Sequence, residues 1–233
     1  MNHRLDALRW PQVDQRVALL AIPLGATEQH GLHLPLGTDT AIATALCDRL
    51  ADEVGDVLVA PAVPYGSSGE HAEFPGTLSL GQEALELLLV ELVRSADHFA
   101  GVVLVNGHGG NRGPLIRAVR LLRSEGRHIL AWSPSGPSND SHAGGTETSA
   151  MLQLRPGDVD VKQAERGNTA PLPDLIEPLR TGGVRSVSAN GVLGDPTHAS
   201  AAEGRRILND WAASLIDAVL TWETTLSRRS TPS

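Results

Sequence analysis

With 233 residues, 41 % of them hydrophobic and 20 % charged, the chain is too apolar for an intrinsically disordered polymer and long enough for one large α/β domain. A formal charge of −8 argues against nucleic acid and anionic membrane as partners, since both call for a basic surface. No window approaches the roughly 20 apolar residues of a membrane span, and "MNHRLDALRWPQV" lacks the basic start and apolar stretch of a secretory leader, so a cytoplasmic protein is expected.

In chain order, the first element is an apolar run, "RVALLAIPLG" (16–25), rich in Val, Ile and Leu without period-two alternation. Such a run predicts a strand covered on both faces. "TAIATALCDRLADEV" (40–54) follows and places Ala43, Leu46, Leu50 and Val54 on one helical face. Its single cysteine, Cys47, forms no intrachain disulfide and is expected to be a small buried hydrophobe. "DVLVAPAV" (56–63) reads as a second strand, "GQEALELLLVELVRSADHF" (81–99) as a helix and "GVVLVNG" (101–107) as a third strand. "GPLIRAVRLLRSEG" (113–126) is a helix ending on Gly126, a left-handed cap, and "RHILAWS" (127–133) is a fourth strand. Strand alternating with helix predicts a mostly parallel sheet with helices on both faces. Ligands bind such sheets at the carboxyl ends of the strands, which directs attention to the loops after Gly25, Val63, Val105 and Ser133.

Beyond 134 the pattern loosens. "GTETSAMLQL" predicts a short helix, residues 169–200 an extended excursion rich in Pro and Gly, and about 200–226 a final helix striped with Ile207, Trp211, Leu215, Ala218 and Trp222. Residues 1–226 are expected to form a single domain, and the tail 227–233 is expected to be disordered.

Ligand-type side chains crowd the strand-end loops. "IPLGATEQHGLHLPLGTDTAIA" (22–43) carries Glu28, His30, His33 and Asp39 just past the first strand. Glu28 and His30, two apart, point to the same side of an extended segment. Asp39 precedes the first residue expected in the helix, Thr40, and taken alone is read as a cap. His33, between two leucines, is expected to pack or to orient a ligand. "VNGHGGN" surrounds His108 with glycines that let the backbone turn sharply at the sheet edge. A phosphate cradle is the rival reading of that loop, but the spacing is neither GxGxxG nor a Walker loop. "NDSHAGGTETSAML" presents His142 on a loop with no apolar neighbour, suited to carrying a proton, and Glu147 in a first helical turn. "VPYGSSGEHAEFPGTLSLG" (63–81) adds Glu70 and His71, which line the cleft or a solvated loop equally well. Carboxylates and imidazoles converging at strand ends, without thiolates, suit Zn(II), Fe(II) or Mn(II) in a hydrolytic site.

Together, "PLGATEQHGLHLPLGTDT", "SSGEHAEFPGTLSLG", "VNGHGGN" and "HAGGTETS", in that order, resemble the creatininase family of metal-dependent amidohydrolases. "RGNTAPLPDLIEPLRTGGVRSVSANGVLGDPT" is similar to one branch of it, the peptidases encoded with the mycofactocin pathway. The resemblance implies a three-layer α/β/α fold and a homo-oligomer, often a hexamer. It implies a metal site on Glu28, His30, Asp39 and His108, with Asp39 bridging if two ions bind. His142 would match the family's proton-shuttling histidine and Glu147 the glutamate beside it. Iron(II) is the favoured metal, zinc(II) or manganese(II) the alternatives, and one or two ions the expected number. The substrate implied is the modified precursor peptide, cleaved to release a C-terminal unit derived from Val-Tyr. His142 would serve as general acid, and amides of the Gly107–Gly110 turn as oxyanion donors.

One position departs from the pattern. Creatinine amidohydrolase has a glutamate ligand two residues after the loop histidine, where this chain has Gly110. Either Glu147 compensates or only one ion binds tightly, and creatinine is not the expected substrate. A related amidase acting on a small cyclic amide or formamide remains the nearest alternative, and a non-catalytic metal-binding scaffold the second.

Overall fold

The computed structural model describes residues 3–14 and 18–229. Four parallel strands form one sheet: β1 (Leu19–Leu24), β2 (Val57–Val59), β3 (Gly101–Asn106) and β4 (Ile129–Trp132), in the order β2-β1-β3-β4. The helices are α1 (Trp10–Asp14), α2 (Thr38–Glu53), α3 (Gln82–Arg94), α4 (Arg112–Ser124), α5 (Gly145–Leu154), α6 (Leu172–Gly182) and α7 (Ala201–Arg229). Residues 16 and 17, expected to open the first strand, lie outside the described residues. The second strand is only three residues long, because Pro61 has no amide to donate to the ladder, and pairing with β1 resumes only at the single Leu24–Val63 bridge.

The absence of period-two polarity in the strands has a direct structural cause. Leu19, Ala21, Val57, Val59, Val103 and Val105 face one core with α2, α5 and α7, while Leu20, Ile22, Leu58, Val102 and Leu104 face a second core with α3 and α4. Both faces of the sheet are dry, and the result is the expected three-layer α/β/α arrangement. Ala43, Leu46 and Leu50 are all buried on α2 with Cys47 among them, and Gly126 adopts a left-handed φ of 81° after α4.

Two expectations are corrected. The stretch 169–200 is not merely extended, since it contains α6 and two 3-10 turns, Val184–Ser186 and Pro196–His198. Pro173 sits in the first turn of α6, where the backbone donor it lacks would have no partner within the helix anyway, so a proline-rich segment still starts a helix there. The last helix continues to Arg229, past the expected end at 226, and residues 230–233 lie outside the described residues.

α7 crosses α5 at Gly204, where an added Cβ would stand 1.8 Å from the carbonyl oxygen of Ser149. Alanine would raise the intrinsic helix preference of α7 by about 1 kcal/mol. The overlap is with backbone, which cannot swing aside, so overpacking should win. Gly204→Ala is expected to lower stability by about 1–3 kcal/mol, read as a fall in the urea midpoint at unchanged slope. A raised midpoint would contradict this packing of α5 on α7.

Candidate metal centre

The site forms where three segments that leave the sheet meet the start of α2. Close approach requires glycine at two places: a Cβ on Gly25 would lie 2.1 Å from Thr40 Oγ1, and one on Gly107 would lie 2.6 Å from the Asp39 carbonyl oxygen. Without side chains there, the first turn of α2 packs directly over the carboxyl ends of β1 and β3. α2 starts at Thr38, two residues earlier than expected, so Asp39 lies inside the first turn. Its carboxylate makes no cap, in contrast to the reading of Asp39 taken alone, and points to two histidines.

Asp39 Oδ1 is 3.1 Å from His30 Nε2, and Oδ2 is 3.3 Å from His108 Nδ1. Glu28 Oε1 lies 3.2 Å from His108 Nδ1, 3.3 Å from His71 Nε2 and 3.7 Å from His142 Nδ1. Glu147 Oε2 is 3.8 Å from His30 Nε2. Three triads have ligand atoms mutually within 4.8 Å: Glu28–Asp39–His108, His30–Asp39–Glu147 and Glu28–His30–His142. All six candidates are thus brought together, with Asp39 shared by two of the triads.

Backbone carbonyls orient the imidazoles. His30 Nδ1 donates to the carbonyl of Glu28 (3.1 Å), His108 Nε2 to that of Ser67 (3.0 Å) and His142 Nε2 to that of Gln29 (2.8 Å). Each bond turns the other ring nitrogen toward the carboxylates, so that once a ring is neutral its free lone pair would face them, the tautomer a metal requires. His142 is less free than its loop suggested. It pairs with Leu193 in an isolated bridge, and its ring centre lies 4.3 Å from that of His30 and 4.5 Å from that of His71, tilted by 43° and 47°.

Four supporting residues escaped the sequence reading. Gln29, between the two expected ligands, turns its side chain the other way, and its Nε2 donates to His71 Nδ1 (2.8 Å) and Gly191 O (3.1 Å). Asn106 donates to His108 O (2.8 Å). Asn111 donates to Gly25 O (3.1 Å) and accepts from Ser67 N (2.9 Å), tying three loops together. Asp140 accepts from Gly145 N and Thr146 N, both at 2.8 Å, and so anchors the start of α5 beneath His142. The available signal was an amide or carboxylate flanking each ligand motif, which pattern alone does not separate from loop polarity.

The uncertain residues now have places. His71 is buried and belongs to the cluster. Glu70 lines the cleft, 3.9 Å from His108 Nε2. His33 bonds Thr148 Oγ1 at 2.8 Å, tying its turn to α5 rather than orienting an expected ligand. Gly110 admits no side chain in this loop conformation, because a Cβ would lie 2.2 Å from Ser67 O and 2.5 Å from Glu70 Oε1. Glu147 supplies the third carboxylate of the cluster from the opposite side.

The donor set fits a divalent cation. Both oxygens of Glu28 and Oδ2 of Asp39 are buried without a hydrogen bond of acceptable geometry, a costly arrangement that a cation would satisfy. Burial opposes charge on His30, but Asp39 outweighs it and the pKa rises to about 10. Burial likewise opposes charge on His108, which Glu28 and Asp39 nevertheless hold well above the usual imidazole range. Burial and the neighbouring His30 push His142 well below that range. Burial lifts Glu147 to about 7 against the pull of His30. The cluster therefore balances two carboxylates with two imidazolium protons, and a dication replacing both protons leaves its charge unchanged.

Because both histidine pKa values are raised, binding at pH 6–8 must displace their protons, and affinity should climb with pH. Zinc titrated by calorimetry in buffers of different ionisation enthalpy is expected to release up to two protons, steepening affinity by about ten- to a hundredfold per pH unit. An affinity flat between pH 6 and 8 would remove these imidazoles from the ligand set.

The cluster floors a cleft of about 1010 Å³ walled on one side by α6. Among the described residues no helix is long and apolar enough to cross a membrane. The family model described as creatinine amidohydrolase matches residues 6–219. The chain is 50 % identical to a mycofactocin precursor peptide peptidase of Mycolicibacterium smegmatis, over 91 % of this chain and 88 % of the relative. It is 31 % identical to a creatinine amidohydrolase of Pseudomonas putida, over 91 % and 94 %. A tryptophan-substituted creatininase structure superposes with a TM-score of 0.80 at 28 % identity, covering 94 % of this chain and 98 % of that one. Two other similar creatininase structures are described as carrying Mn and as Zn–Zn type. The chain belongs to the creatininase family and is a hydrolase acting on carbon–nitrogen bonds.

Proposed function

We propose that the chain is a metal-dependent peptidase that cleaves the modified mycofactocin precursor peptide and releases its C-terminal Val-Tyr-derived unit. The observation that carries the hydrolytic reading is the pair of triads sharing Asp39, whose members Glu28 and His108 line the cleft. The substrate follows from the relatives of about half identity over nine-tenths of the chain, which bear that name. The volume of the cleft favours a peptide over a small cyclic amide, which would fill only a fraction of about 1010 Å³.

Glu28, Asp39 and His108 would hold one ion, and His30, Asp39 and Glu147 a second. Iron(II) is the proposed metal, with zinc(II) or manganese(II) next, since imidazole and carboxylate without thiolate accept all three. A divalent ion there supplies Lewis acidity to the scissile carbonyl and brings the pKa of water toward neutrality. Neutral His142, its Nε2–H donated to Gln29 O, presents an unprotonated Nδ1, which would take the proton that the attacking water loses and hand that same proton to the leaving amine. Where only one ion binds, Glu147, which burial lifts to about 7 in the metal-free protein, would instead stand beside His30 as a proton acceptor. The amide of Gly107 bonds Leu24 O, which removes it from the expected oxyanion donors and leaves those of Gly109 and Gly110, which line the cleft. A homo-oligomer, a hexamer or similar, in the cytoplasm is part of the proposal; exposed Leu32, Leu78 and Leu87 are apolar surface that a neighbouring subunit would cover.

Mass spectrometry of the modified precursor peptide, incubated with anaerobically metal-loaded protein, is expected to show release of the C-terminal fragment. An intact peptide under those conditions, with creatinine or a formamide hydrolysed instead, would reverse the substrate assignment. His108→Ala should lose tight metal binding and turnover together. His142→Ala should retain the ion while kcat falls by about 100- to 10,000-fold. Loss of the ion in His142→Ala would make this residue a ligand rather than a proton carrier.

A further inference from the structure

The cleft does not end at the metal centre. A second cavity of about 880 Å³ shares His108, Gly109, Arg112 and Leu172 with it and continues along α4 toward the end of β4. Its α4 wall is a stripe in which Ile116 and Val119 alternate with Arg112, Arg120 and Arg123. No acidic residue lines this cavity among the described residues, in a chain with 27 acidic and 19 basic side chains.

The pairing of the arginines separates this stripe from the rest of the surface. Arg94, Arg117 and Arg127 on the neighbouring outer faces each bond a carboxylate. Arg123 is committed to Ile129 O, at 3.1 Å from its Nη2. Arg112 and Arg120, both exposed, have no carboxylate within salt-bridge distance among the described residues. Two cationic groups left unpaired in a groove that opens from the catalytic cleft are placed to receive carboxylates from outside the molecule.

We propose that this groove binds an acidic segment of the peptide substrate, N-terminal to the scissile bond. The proposal rests on the peptidase reading above: if the unit released is C-terminal and small, the long remainder must leave the cleft on the N-terminal side. Arg112 and Arg120 are eight residues apart on one helix, about 12 Å, a span that an extended peptide covers in about four residues. Acidic side chains at that spacing meet both guanidinium groups while the chain between them packs on Ile116 and Val119. The groove selects by charge and sets affinity for the leading segment, leaving the chemistry to the metal centre.

The test compares R120E with R117E, which changes the net charge equally at a neighbouring α4 residue that does not line the groove and is paired with Glu86. With the modified precursor peptide, R120E is expected to raise KM about tenfold at unchanged kcat, the size of one or two exposed ion pairs reversed. R120A should raise it about threefold and R117E by less than twofold. A peptide whose acidic residues are replaced by glutamine should show the raised KM with the wild type and no further rise with R120E. Binding is read independently of turnover by fluorescence anisotropy of a labelled (Glu-Gly)5 peptide on the metal-loaded protein. Salt-sensitive binding weakened by R120E but not by R117E supports the groove even if the precursor peptide is not cleaved, a result that would sink only the substrate reading. Equal KM and equal peptide affinity in R120E and R117E would overturn the proposal.

Discussion

Glu28 and Asp39 are buried at the end of a hydrophobic sheet, and three of their four oxygens lack a hydrogen bond. Taking a carboxylate out of water costs several kcal/mol unless a positive charge meets it there. Two imidazolium protons meet that demand in the protein alone, and a divalent ion would meet it in the loaded state. Much of the surrounding architecture bears on this one requirement. The glycines at 25 and 107 let α2 approach, and the asparagines at 106 and 111 hold the loops that carry His108.

The histidines are held from behind. Carbonyls of Glu28, Gln29 and Ser67 each take one ring proton, so three backbone groups fix three tautomers without using another side chain. Backbone acceptors move less than side chains, which suits a site whose ligand atoms must stay within a few tenths of an ångström. Ala143 is held in the left-handed region at φ 53° with its amide bonded to Glu147. That strained backbone stands between His142 and Glu147, the two residues assigned to proton movement, as strain often does at functional sites.

The molecule divides its labour between two layers. The α2–α5–α7 side supplies Asp39 and Glu147 and a large apolar core, while the α3–α4 side carries the loop glycines and the arginine stripe. The sheet edge between them is where parallel α/β folds place ligands, because loops from several strands converge there. α6, inserted where the sequence reads as mere Pro- and Gly-rich excursion, walls the cleft.

By itself, the order of apolar runs and helical stripes determined the alternating α/β architecture, since strands dry on both faces must lack period-two polarity. Residue type at the strand ends marked Glu28, His30, Asp39, His108, His142 and Glu147 as candidates together with His33, Glu70 and His71, and it was the resemblance to the creatininase family that singled out the first six. Only tertiary structure decided that Asp39 faces two histidines rather than capping α2, since a side chain in a first helical turn can serve either purpose until its neighbours are known. It alone drew in His71 and Gln29, whose partners lie up to 162 residues away in sequence, and it alone closed position 110 to any side chain. Those outcomes depend on distances between loops, and distance between loops is a property of packing that no local pattern encodes.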